Sequence, residues 1–182
     1  MTLQAWLILA LWLSLIAYWA LSARRLERSE GDRWLWWREV AVRLGLFALV
    51  VFALQAAAAS HALPEARLYA LDAGMLPGLL GVALCACGIA LAILARAHLQ
   101  RGPNFLTTGP YAIVRHPLYA GLMLAMIGST IAQSLLWLLP LAVYGALFIV
   151  SARREERLLL EQFSARYAAY MRRTKMLVPF VL

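Results

Sequence analysis

Stretches of 18 or more residues with almost no charge recur along this chain. No other feature restricts its fold as strongly. A helix of that length, uncharged, matches the hydrocarbon thickness of a bilayer. Backbone groups in hydrocarbon must bond internally, which a helix achieves within a single segment. Of the 182 residues, 64% are hydrophobic, well above the share of a soluble domain. An all-α integral membrane protein is therefore expected. Spans are read at 3–22, 40–60 and 75–95. The apolar run 118–152 is 35 residues long, too long for one span and just enough for two short ones. Gln133 and Ser134 interrupt it near its middle, which predicts a tight helical hairpin, 118–132 and 135–151. About five transmembrane helices result.

Charge placement supports this layout. The chain carries 17 Lys and Arg against 9 Asp and Glu, a net charge of +8. With five spans and an outer N-terminus, the segments 24–43, 96–116 and 153–175 share one side. Sixteen of the 17 basic residues lie in them, and Arg67 alone falls elsewhere. Basic loops mark the cytoplasmic side, so the C-terminus is expected there. The first span has no Lys or Arg before it and Arg24 and Arg25 directly after it, the reverse of a signal peptide. It reads as retained. Trp34, Trp36 and Trp37 beside charges suggest an interfacial belt, and Arg43 can snorkel from the second span. The bias of 16 Arg to one Lys suits a GC-rich bacterial genome, hence a bacterial inner membrane. No basic stripe interleaved with aromatics appears, so nucleic acid is set aside.

Metal chemistry finds no support. His61, His98 and His116 are too scattered for a zinc signature. Cys85 and Cys87 sit two apart inside an apolar helix, point to different faces, and read as two small core residues. Gly74, Gly78 and Gly81 read as a small-residue stripe for helix packing, since no strand precedes them to make a nucleotide loop.

Two polar clusters interrupt the apolar chain. One is "TTGPYAIVRHPLYAG", residues 107–121. The other is "SARREERLLLEQFSARYAAYMRR", residues 151–173. The hairpin returns its end close to its start, so the two can meet. Singly, each residue has an ordinary explanation. Arg115 and His116 serve as anchors at a helix start, Tyr111 and Tyr119 as belt residues, and Glu155 and Glu156 as partners of Arg153, Arg154 and Arg157. Together they suggest more. Arg115 and His116 lie between a Gly-Pro turn and a Pro-started helix, stiffened on both sides. A helix N-terminus adds positive potential there. Such a place suits a carboxylate, and two glutamates suit hydroxyls or an ammonium. In the second cluster, Leu159, Phe163, Tyr167 and Tyr170 form one apolar face, which predicts a cytoplasmic amphipathic tail helix ending near Pro179.

The pattern G-x-Y-x-x-x-R-H-P-x-Y-x-G, then E-E-x-x-L, then F-x-x-x-Y-x-x-Y, then Pro-Phe, occurs in order over roughly 95–182. It resembles the isoprenylcysteine carboxyl methyltransferase family, within a superfamily that includes phospholipid methyltransferases. One departure is Ser164, where that family usually has Gly after the Phe. The resemblance implies a cofactor, S-adenosyl-L-methionine, held by Tyr111, Arg115, His116, Pro117, Tyr119, Glu155 and Glu156. The chemistry of methyl transfer makes Arg115 and Glu156 the expected catalytic pair, Arg115 holding a carboxylate of cofactor or substrate and Glu156 binding a cofactor hydroxyl or ammonium or orienting an Arg. No metal is expected, and a lipophilic methyl acceptor can enter sideways between helices. Residues 1–95 then form an N-terminal membrane unit and 96–182 the catalytic region. The expected reaction is carboxyl O-methylation. Alternatives are N-methylation of a phospholipid or other amine, a nicotinamide-dependent membrane reductase, or a non-catalytic membrane module.

Overall fold

The computed structural model describes residues 2–23, 74–99 and 107–178. Four helices carry the described chain: α1 Leu3–Ala23, α2 Met75–Leu99, α3 Pro117–Ala132 and α4 Leu138–Arg173. Short 3-10 turns, Gly109–Ala112 and Leu135–Trp137, precede α3 and α4. By length and composition α1, α2 and the segment containing α4 can each cross a membrane, and α3 is a shorter apolar helix. Lipid-facing side chains such as Leu13, Leu80, Leu94 and Leu139 are exposed, as the bilayer requires. The expected second span at 40–60, the Trp34–Trp36–Trp37 belt, Arg43 and the Pro179 stop lie outside the described residues.

The centre of the fold is an antiparallel contact between α2 and α3. Gly81, Cys85, Gly88 and Ala92 face Ala132, Gly128, Ala125 and Gly121, two sets of small residues at matching helical spacing. The two backbones touch directly. A Cβ placed on Gly88 would lie 2.5 Å from the Gly121 carbonyl oxygen, and one on Gly81 2.6 Å from the Ala132 nitrogen. Apolar side chains gain little by leaving lipid for each other, so close backbone approach is what such helices have to offer. The stripe noticed at 74–81 is thus misplaced. Gly74 is a helix start with φ +72, Gly78 faces Gln4 of α1, and only Gly81 joins the central contact. Cys85 is buried in that contact, whereas Cys87 is exposed, so the pair is not a pair of core residues.

Helix α1 docks through Ile8, Trp12 and Leu15, spaced on one face and buried. The Trp12 indole N–H donates to Ser129 Oγ at 3.1 Å, and its ring stacks on Trp137 at 5.8 Å. The hairpin turn falls where the two polar residues stand. Gln133 ends α3 and accepts from the Trp137 indole N–H at 2.8 Å, while Ser134 caps the following turn.

The second hairpin arm does not stop at Ser151 but runs on into the tail, so that α4 comprises two helical segments joined at a kink. Only at Ser164 does the backbone leave helical geometry, with φ 42 and ψ −115. The chain bends there, and an arm from 165 onward turns back toward α3. Ser164 is the same position at which the sequence departs from an expected glycine. An L side chain at this φ is strained, commonly by about 1–3 kcal/mol.

Two outcomes follow from this geometry. Gly88→Ala should lower stability by about 1–3 kcal/mol, as overpacking does, whereas Gly145→Ala, whose new Cβ meets only Met123 Cε at 3.6 Å, should not. Ser164→Gly should raise stability by about 1 kcal/mol through relief of the positive-φ strain. Melting temperatures in detergent check both, and a neutral Ser164→Gly would show that the bend is unstrained.

Candidate functional site

The 3-10 turn Gly109–Ala112 delivers Arg115 and His116 to the head of α3. Gly109 has φ +61, and a Cβ there would strike the His98 ring at 2.8 Å, so glycine is required on two counts. Pro117 opens α3 at a position where its missing N–H costs nothing. His116 is the N-cap residue but makes no side-chain cap bond. Its ring turns toward α4 instead.

There, one carboxylate gathers two cations. Glu156 Oε1 accepts from Arg115 Nε at 2.6 Å and lies 3.3 Å from His116 Nε2. Arg115, His116 and Glu156 are all close to buried, with side chains 7–11% exposed. Glu155 completes the cluster from the adjacent position. Its Oε2 lies 3.4 Å from His116 Nδ1, and its Oε1 accepts from the Tyr119 hydroxyl at 2.5 Å. Tyr119 in turn stacks between His116, at 5.7 Å, and Phe148, at 4.9 Å. Arg115, His116, Tyr119, Glu155 and Glu156 are thus brought together as the sequence suggested. The glutamates partner α3's head and not Arg153, Arg154 or Arg157.

The C-terminal arm closes the cluster from the other side. Arg115 Nη1 donates to the carbonyls of Thr174 and, at 3.3 Å, Met171. The backbone N–H groups of Arg115 and His116 donate to Lys175 O at 2.8 Å and Met176 O at 3.1 Å. Val114 and Lys175 pair as a parallel bridge. The Tyr170 hydroxyl donates to the Tyr111 carbonyl at 2.6 Å, tying the arm to the turn. Tyr111 itself stands one layer out, its ring 6.5 Å from His98, which holds Thr108 Oγ1 at 3.1 Å. Burial first, and the nearby Glu155 charge second, push the Tyr111 phenol up to about 12. Tyr170, expected on an apolar face of the tail, thus has a polar role that the sequence pattern does not reveal. Arg96, counted in sequence among the loop charges of 96–116, lies in the last turn of α2. Arg96 is buried, bonds Ser22 Oγ at 3.0 Å and lies 4.5 Å over the Trp19 ring, joining α1 to the end of α2.

Burial disfavours the charged His116 ring, but its bonds to Glu155 and Glu156 and their charges outweigh that, and its pKa is raised. A charged imidazole between two carboxylates, with Arg115 on the second, forms a self-neutralising group. Arg115 Nη2 is the guanidinium nitrogen outside these bonds, and Glu155 is the carboxylate open to solvent, its side chain 49% exposed. A half-exposed carboxylate, a free guanidinium edge and the Tyr111 ring can receive a ligand with hydroxyl or ammonium donors, a carboxylate and a flat heterocycle.

Residues 77–166 match the family model described as phospholipid methyltransferase, just under half of the chain. The chain is 42% identical over 78 residues to methanethiol S-methyltransferase 2 of Bradyrhizobium diazoefficiens, covering 43% of this chain and 30% of that protein. It is 34% identical over 106 residues to the cobalt-zinc-cadmium resistance protein CzcN of Cupriavidus metallidurans, covering 56% and 47%. The chain therefore spans less than half the length of these curated relatives. No solved structure matches.

The raised His116 pKa gives a pH dependence with a definite sign. In the unfolded chain the ring titrates near 6.5, so its contribution to stability is full below about 6.5. That contribution is lost as pH rises through the higher folded value. Melting temperature should fall over this window for wild type, and His116→Gln should abolish that fall. An unchanged profile in the variant would show that another group titrates.

Proposed function

We propose that this integral membrane protein, in which the phospholipid methyltransferase pattern runs from α2 to the bend of α4, transfers a methyl group from S-adenosyl-L-methionine to a lipophilic acceptor. The observation that supports this most is the closed chain Arg115–Glu156–His116–Glu155–Tyr119 at the head of a short apolar helix. Its polar groups suit the cofactor. Glu155 and the Tyr111 phenol fit the ribose hydroxyls or the ammonium, Arg115 Nη2 fits the carboxylate, and His116, Pro117 and Tyr119 form the wall behind them. When bound, the cofactor supplies a methyl group on a cationic sulfur, which departs as a neutral thioether.

The residues set the chemistry of the acceptor. His116 is shared by two carboxylates that favour its charged form, and Glu156 is committed to Arg115, so neither is an idle base. An acceptor that arrives already ionised needs none. A carboxylate meets that requirement, as in an isoprenylcysteine-like substrate, and is the reading we favour. Thiolate is the second reading, favoured by the similarity to a protein named for methanethiol methylation. An amine would first have to lose a proton to a group such as Glu155, whose oxygens already serve His116 and Tyr119. Cation and anion combine into neutral products, so charge disperses on the way, and the apolar surround that excludes water favours the step. Alignment of acceptor and methyl group supplies at most about 7–11 kcal/mol. Arg115 and Glu156 provide that alignment by fixing the head of α3 against α4. The site faces the cytoplasm in this reading, where such a cofactor is made.

S-adenosylhomocysteine should bind the detergent-purified protein in calorimetry. Glu155→Gln should weaken that binding by about tenfold, the loss of one charge-assisted bond. NADPH should leave the melting temperature unchanged. Binding of NADPH without S-adenosylhomocysteine would establish a reductase instead, and binding of neither would leave a non-catalytic module.

A further inference from the structure

Arg153, Arg154 and Arg157 flank Glu156 on α4, and all three are exposed. Arg172, Arg173 and Lys175 flank Met171 and Thr174 on the arm, and they too are exposed. Glu156, Met171 and Thr174 all bond the one guanidinium of Arg115. Six exposed cations therefore gather around a single side chain at the head of α3. None of the six forms an ion pair among the described residues. Their level along the molecule is fixed by the same contacts. Residues 138–152 of α4 and 117–132 of α3 are uncharged, and the cations begin where both uncharged segments end.

The arm has two sides. Thr174, Met176 and Leu177 are buried, while Arg172, Arg173 and Lys175 point out. Its inner side supplies the carbonyls that hold the Arg115 side chain and the Arg115 and His116 backbone. Left alone, the outer cations repel one another and those of α4, which works against that closure. A counter-surface of negative charge would reverse the effect. Exposed, separated cations on two elements make no enclosure for a small anion. They do match the spacing of many headgroups at the edge of an apolar slab, where each Lys or Arg gains roughly fivefold in affinity for an anionic surface.

We propose that these residues form a collar for anionic phospholipid headgroups of the surrounding bilayer, and that this docking holds the C-terminal arm onto residues 114–116. The membrane's own charge then sets how firmly the polar cluster is closed.

Nanodiscs of phosphatidylcholine alone, and with about one-third phosphatidylglycerol, test this. Amide exchange across 111–119 and 170–178 should be slower in the anionic discs by about tenfold or more, and about 0.5 M salt should remove the difference. The variant Arg172→Gln/Arg173→Gln/Lys175→Gln should lack the difference while keeping wild-type helix content and melting in neutral discs. Equal exchange of wild type in both discs would overturn the proposal. So would protection that persists in the triple variant, or protection reproduced by inorganic phosphate in neutral discs. Exchange reports no methyl transfer, so this outcome is independent of the activity proposed above.

Discussion

One carboxylate oxygen organises this protein's polar end. Glu156 Oε1 serves both Arg115 and His116, in a place where all three side chains are nearly out of water. Removing a single partner from such a group leaves uncompensated charge, which commonly costs about 3–5 kcal/mol. Everything nearby is arranged around that fact. The Gly-Pro turn brings Arg115 in, Pro117 restricts the backbone of His116 before it, and the bend at Ser164 lets the arm return its carbonyls to the guanidinium. Distant parts of the sequence are joined because this one group needs partners from each.

The apolar part of the molecule obeys a different rule. Between α2 and α3 the contact is backbone on backbone, with Gly81, Gly88, Gly121 and Gly128 leaving no side chain in the way. A close contact of this kind permits little sliding, since each carbonyl sits in a gap made by a missing Cβ. The register of α3 is thereby set from the membrane interior, and its head is held in place against α4. A stiff apolar pair thus supports a precise polar cluster.

Much of this was legible in the residues. Uncharged run lengths gave α1, α2 and the hairpin, and Gln133 and Ser134 marked the turn because nothing else polar stands there. Arg115, His116, Tyr119, Glu155 and Glu156 could be paired because a hairpin must bring its two ends together. The tail escaped this reading for two physical reasons. Helical periodicity runs unbroken through Ser151, so nothing in the pattern separates span from tail. The partners of Arg115 on the arm are main-chain carbonyls, which any residue carries and no motif reveals. Ser164 did leave a trace, as a serine in a position expected to be glycine, but only the backbone angles explain why glycine belongs there.

The brevity of α3 has its own consequence. Sixteen residues rise about 24 Å, against a hydrocarbon layer of about 30 Å. A helix of that length that crossed the bilayer would leave it dimpled, or would hold its charged head beneath the phosphate plane. In the proposed reading the Arg115–Glu156–His116 group would then lie near the acyl chains, with Glu155 toward the water. A greasy molecule drifting within one leaflet would meet it by moving sideways. It would never have to climb out of the oil.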